Sequence, residues 1–215
     1  GASLRSIVIS EGVKEIRDWA FRGNNNLQSI HFPSTLNSLG QTVIGMCPNL
    51  RTITGKFASS DNKAIVINGE IISVAPYELK NYTIPSEVHT IGEDLFWANQ
   101  TIEHIIIPEG VHTIKRAAFF GCRNLKSIQI PSTLESIGAR VLGHCDQLEK
   151  IYGHYTTEDN RCLIKDGKFE AFAPAGLTSY IVPTGVKEIR ASVISSFELE
   201  SITLPEGLEI ICEDA

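Results

Sequence analysis

The sequence has no apolar run approaching the roughly 18 residues that a membrane-spanning helix needs, so no membrane insertion is expected of this segment. It opens on no basic-then-apolar stretch of the signal-peptide kind. It also lacks a surplus of positive charge. Nineteen Lys and Arg stand against 25 Asp and Glu, a formal net charge of -6, and the basic residues are scattered among the acids. A phosphate backbone meets no basic face here, which sets nucleic acid aside as a partner. The five cysteines include no C-x-x-C pair, excluding a zinc ribbon or a thioredoxin-like motif, and their odd number says little about redox compartment. There is no G-x-S-x-G elbow, no G-x-x-x-x-G-K-[ST] and no G-x-G-x-x-G, and the plentiful serines show no nucleophile–base pair in register. The expectation is a non-enzyme with no cofactor and no metal.

What the sequence does have is a period. With Leu4, Leu27, Leu79, Ile102, Leu125, Leu177 and Leu199 as position zero, the pairs 4/27, 79/102 and 102/125 are each 23 residues apart. Position three holds Ile7, Ile30, Tyr82, Ile105, Ile128, Tyr180 and Ile202, and position five Ile9, Phe32, Ile84, Ile107, Ile130, Val182 and Leu204. Proline follows at position six in every unit except the first, where Ser10 stands. Further apolar residues recur at positions nine and twelve, and Phe21, Ile44, Phe96, Phe119, Leu142 and Ile194 at seventeen. The I-x-I alternation makes a short strand with both residues inward, and proline ends it because it has no N–H for a ladder. One coil cannot bury its apolar side alone; stacked about 4.8 Å apart, the strands become rungs of a parallel sheet. Position seventeen then forms a spine, and position twenty (Asn24, Cys47, Asn99, Cys122, Cys145) a ladder of small side chains meeting backbone groups in a tight turn. Cys122 and Cys145, with parallel Cβ directions, are expected to stay free thiols.

A longer period of 98 residues relates Leu50 to Leu148, Asp61 to Asp159, Gly69 to Gly167 and Pro76 to Pro174. Each long unit carries a hairpin signature around Asn68-Gly69 or Asp166-Gly167, pairs that supply the positive φ angles of a tight turn. The hairpin strands are too apolar to stand free in water. They are either an elaborated coil that widens the side wall or a lip beside a binding face. The expected organisation is a single solenoid domain over 1–215, with four-coil blocks at 4–101 and 102–198 and a partial block at 199–215. Neither end shows a polar cap, so the expectation is a fragment of a longer protein or a module whose ends stack on another copy.

Units such as LKSIQIPSTLESIGARVLGHC and IEHIIIPEGVHTIKRAAFFGC resemble the BspA-like leucine-rich repeats, the Treponema pallidum type. The resemblance covers nearly the whole chain, with departures at Ser10, at the two hairpin units and at Phe197, where one residue is missing before Leu199. It implies a leucine-rich-repeat α/β solenoid, a right-handed superhelix of about nine coils with a parallel β-sheet, and short helical or 3₁₀ turns at the A-F positions. It also implies a cell-surface or secreted microbial protein that adheres to a protein or extracellular-matrix ligand. Two other classes stay open, a structural spacer holding another domain and a glycan-binding module.

Specificity must then lie in outward residues. The strand face exposes His104 at position two and His31, Thr83, Ile106 and Gln129 at position four. This small, fairly neutral face is either a solvated sheet or an acceptor for a protein strand or glycan. Trp97 and Phe120 share position eighteen in successive coils, so they either widen the aromatic spine or make an exposed apolar patch. These seven residues are the candidate partner-binding set. Trp19, three positions earlier in its own unit, is expected to cover the N-terminal end. His89, His112 and Glu135 share position ten, a row that a divalent metal would need filled by a further ligand; the reading favoured is ordinary surface histidines.

Overall fold

The structure, a computed structural model, describes residues 3–195 and 198–215; Phe197, the site of the one-residue deletion, lies outside them. The chain forms two compact units, 1–79 and 80–215. Both are built of strand-rich solenoid turns, about nine in all.

The first unit contains β1 (Ser6–Val8), β2 (Glu15–Ile16), β3 (Ser29–Phe32), β4 (Ser38–Leu39), β5 (Thr52–Gly55), β6 (Ala64–Ile67) and β7 (Glu70–Val74). Strands β1, β3 and β5 form one parallel sheet, with Ile7, Ile30 and Ile53 in register and pointing inward. Strands β2 and β4 form a second parallel ladder. Leu27, Phe32, Leu36, Leu50 and Ile53 fill the core with no exposed surface.

The second unit contains β8 (Asn81–Thr83), β9 (Thr90–Ile91), β10 (His104–Ile106), β11 (Thr113–Ile114), β12 (Ser127–Ile130), β13 (Ser136–Ile137) and β14 (Lys150–Gly153). These are followed by β15 (Cys162–Lys165), β16 (Lys168–Phe172), β17 (Ser179–Ile181), β18 (Glu188–Ile189), β19 (Ser201–Thr203) and β20 (Ile210–Ile211). A four-stranded sheet runs β8-β10-β12-β14, and a separate two-stranded sheet pairs β17 with β19. The second ladder runs β9-β11-β13 and, further along, β16-β18-β20. The repeat thus makes two sheets per coil where the I-x-I signal had pointed to one. The second arises at positions eleven and twelve, and its inward residue is the apolar one at twelve.

The expected helical turns are absent: among the described residues no helix occurs. Position fifteen is left-handed in coil after coil, at Trp19, Thr42, Asp94, Ala117, Arg140 and Ser192, and so is position nineteen, at Gly23, Met46, Ala98, Gly121 and His144. Two such residues per turn end any right-handed helix before it propagates. Their backbone N–H groups bond the neighbouring coil instead. Asp94, Phe96 and Ala98 donate to the carbonyls of Arg116, Ala118 and Phe120 at 3.1, 2.8 and 2.8 Å, and Ala117, Phe119 and Gly121 repeat the pattern one coil on. The turn layer is a third intercoil ladder, which supplies the bonds that a helix would have made internally. Phe96 and Phe119 stack within it, 5.4 Å between centroids, as the expected spine.

The thiols follow the same logic. Cys47, Cys122 and Cys145 donate to the carbonyls of Phe21, Phe96 and Phe119 at 3.3, 3.1 and 3.2 Å, each reaching back one coil. All five cysteines are free.

Both hairpins form. Asn68 and Gly69 have φ of 52° and 77°, Asp166 and Gly167 of 51° and 73°, the paired positive angles of a tight two-residue turn. Their apolar strands are drawn into each unit's core, Ile65 in the first and Phe169 and Phe172 in the second. In the second unit β16 continues as a rung beside β18, so the hairpin widens the side wall and is not itself a lip. Glycine is obligatory where the chain leaves the first sheet toward each hairpin. A Cβ on Gly55 would lie 1.9 Å from the Phe32 carbonyl oxygen, and one on Gly153 2.1 Å from that of Ile130.

Candidate functional site

In the second unit, parallel pairing in exact 23-residue register sets outward residues in two columns. Asn81, His104, Ser127 and Lys150 form one, and Thr83, Ile106, Gln129 and Tyr152 the other. Tyr82, Ile105, Ile128 and Ile151 between them are buried. His104 Nδ1 lies 2.7 Å from Ser127 Oγ, which ties two rungs together. Ile106 and Tyr152 are 43% and 46% exposed, enough to place an apolar element on an otherwise polar face.

One border of this sheet is charged. Lys80 and Lys126 flank Glu103 at 3.0 and 2.7 Å. Hydrogen bonds from the two ammonium groups hold its carboxyl at about 2, far below the usual range. Next to it a hollow of about 530 Å³ is lined by Gln100, Glu103, Arg123, Asn124, Lys126, Asp146 and Gln147.

Thr83, His104, Ile106 and Gln129, singled out from the sequence, therefore come together on one face. Lys150 and Tyr152 belong to it as well, although the sequence reading passed over them. Their signal was present: Leu148 stands three residues before Ile151, the spacing of positions zero and three that marks every other first-sheet strand. The hairpin that follows obscured it. In the first unit His31 lies in a comparable column between Val8 and Thr54, with Nδ1 3.0 Å from Thr54 Oγ1.

Trp97 and Phe120 belong to the turn layer, not to the sheet. Their ring centroids are 5.3 Å apart at 47°, and Phe120 meets His144 edge-on at 5.1 Å and 81°. Trp97 is 53% exposed and Phe120 half-buried. The pair is thus an exposed step with a packed base, its two rings tilted and not coplanar. Trp19 is 62% exposed at a left-handed position and donates its backbone N–H to the Gln41 carbonyl at 3.0 Å. The His89 and His112 rings lie 6.3 Å apart, and each turns Nδ1 to a backbone carbonyl, of Gly110 and Thr133. His112 Nδ1 is 3.5 Å from Glu135. Among the described residues, no three His, Cys, Asp or Glu converge as a metal site, and no helix is long and apolar enough to cross a membrane.

The BspA type leucine rich repeat region matches residues 1–64, 56–161 and 165–215, in six copies. No curated protein matches the sequence. Among solved structures, a leucine-rich repeat protein from Eubacterium ventriosum is 20% identical, with a TM-score of 0.66 over 99% of this chain and 64% of its own. A leucine rich cell surface protein from Faecalibacterium prausnitzii is 21% identical, with a TM-score of 0.69 over 97% of this chain and 65% of its own. The pneumococcal vaccine antigen PcpA is 14% identical, with a TM-score of 0.56 over 89% and 59%. The chain spans less than two thirds of the length of each of these proteins.

Proposed function

Since the chain belongs to the BspA-type leucine-rich repeat family, whose repeats typically build protein-interaction modules, we propose that it is a non-catalytic protein- or matrix-recognition module of a cell-surface or secreted microbial protein. The outward face of the four-stranded sheet is the contact surface. One observation carries this reading: Ile106 and Tyr152 stand exposed in a single column on strands locked in register, with hydrogen-bonding side chains beside them. An aromatic and an aliphatic anchor ringed by polar groups is the composition of an interface centre. A backbone already fixed by intercoil bonds loses little entropy when it binds. The name of the Faecalibacterium prausnitzii relative, a cell surface protein, supports the location.

The test is a screen of the purified chain against immobilised matrix proteins, with Ile106→Ser/Tyr152→Ser and Trp97→Ala/Phe120→Ala variants alongside. Loss of two anchors costs about 2 kcal/mol or more, roughly thirtyfold in Kd. A hit weakened by the first variant and not the second places recognition on the sheet. A hit weakened only by the second moves it to the turn layer. A folded protein with no hit on any array shifts the reading to a spacer.

A further inference from the structure

The second unit's first sheet is broken between β14 and β17, and the break leaves one strand edge open. On the β14 side the loop before the hairpin closes the edge, since Ile151 N–H donates to the Asn160 carbonyl at 2.8 Å. On the β17 side, among the described residues, nothing does. Among the described residues, strand β17 pairs only with β19. The Thr178 carbonyl and the Val182 N–H both turn toward β19, accepting from Ser201 and donating to Thr203. Backbone groups alternate sides along a parallel strand, so Ser179 and Ile181 present theirs to the opposite side, where neither has a backbone partner among the described residues.

That side is a groove of about 830 Å³, walled by Thr156, Thr157, Glu158 and Asp159 and floored by Ser179, Tyr180 and Ile181. The wall is fixed. Asp159 accepts from the Tyr180 hydroxyl at 2.8 Å and from the Arg161 N–H at 3.0 Å, and its carbonyl accepts from Lys150 Nζ at 2.7 Å. Ile181 is 74% exposed at the rim. Glu158 is exposed and forms no ion pair among the described residues, so it is the uncompensated charge of the groove.

We propose that this groove receives an extended polypeptide segment carrying a basic residue, added as a strand to the open edge of β17. The backbone groups of Ser179 and Ile181 face one way at strand spacing, an arrangement that another strand completes and a sugar ring does not. Ile181 supplies the apolar contact for an alternate side chain, and Glu158 the partner for lysine or arginine. The loop before the hairpin thus serves as the lip that the hairpin itself does not form. This site is separate from the sheet face of Ile106 and Tyr152, and the two stand or fall independently.

The test uses the whole chain and a fluorescent, acetylated and amidated positional-scanning octapeptide library read by polarisation. Selected peptides should favour β-branched residues at every second position together with lysine or arginine. N-methylation of alternate peptide amides should weaken binding roughly tenfold or more. Ile181→Pro, which removes an outward N–H, should do the same, and Glu158→Lys should turn the selected charge from basic to acidic. Ile106→Ser/Tyr152→Ser should leave peptide binding unchanged. The proposal is overturned if no pool binds, if N-methylated peptides bind as well as their parents, or if an oligosaccharide panel alone protects the amides of Ser179 and Ile181 from exchange.

Discussion

In β16 the Glu170 carboxylate is 8% exposed, and Oε2 lies 3.5 Å from Arg190 Nε, neither atom making a hydrogen bond. Arg190 is already held by Glu188 at 3.0 Å, and Lys168 and Lys165 complete the charged surroundings. Burial outweighs these cations and pushes the carboxyl up to about 7. An acid whose folded value is raised stabilises the fold below its unfolded value near 4.5, and that stability is lost as pH rises toward 7. The ionised group then costs about 3 kcal/mol at most. Glu170→Gln should therefore gain about 1–3 kcal/mol at about pH 8 and little at about pH 4, measured by urea unfolding. Equal losses at both values would mean that the carboxylate is ionised and paired. The thiols give a second prediction at this scale. Burial pushes Cys122 and Cys162 up to about 12 and raises Cys145 and Cys47, whereas Cys212 is half-exposed. A thiol reagent should modify Cys212 first, and the other four only as fast as the chain opens. Rapid labelling of all five would contradict the thiol ladder.

The turn layer decides matters at the scale of the element. Ala98 is exposed with φ of 53°, a conformation that costs an L-residue about 1–2 kcal/mol. Glycine relieves that strain but loses about 0.4–1 kcal/mol through the freer unfolded chain. Ala98→Gly should thus stabilise by about 0.5–1 kcal/mol, against the usual trend for that exchange. A clear loss of stability in thermal unfolding would show that position nineteen is not left-handed. Gly153→Ala should act the other way, because its Cβ would collide with backbone and not with a movable side chain. A cost of about 2–4 kcal/mol is expected, and a variant as stable as the parent would show that β14 ends differently. The corners between sheets are also shared. Glu11 accepts from Ser34 and Thr35 in the first unit, and Glu109 from Ser132 and Thr133 in the second, an identical clasp made by E-G and P-S-T units one coil apart.

At the scale of the whole molecule, both units reach order through bonds between coils, with no helix among the described residues. The far-ultraviolet circular dichroism of the chain should show a sheet-type minimum and lack the double minimum of α-helix. A helical signature would restore the turns that the A-F positions first suggested. Surface changes at Ile106 and Tyr152 should leave the unfolding free energy within about 0.5 kcal/mol of the parent, because neither side chain is buried.

The period itself, the inward I-x-I pairs, the thiol ladder and both hairpin turns were legible in the sequence. Each depends on spacing along the chain or on a residue's own φ preference, as at Asn68-Gly69. The sheet column of Thr83, Ile106 and Gln129 was legible for the same reason, since a fixed period puts equal positions side by side. The left-handed turn layer was not. Trp19, Thr42, Asp94, Ala117 and Arg140 share no preference for positive φ, and only the bonds offered by the next coil hold them there. Nor was the place of Tyr152 evident, because the hairpin behind Leu148 interrupts the period that would have marked it. The sequence determined by itself which residues face inward, because burial follows periodicity. Tertiary structure alone decided the turn conformation and the open edge at β17, because both depend on which backbone groups a neighbouring coil leaves to be satisfied.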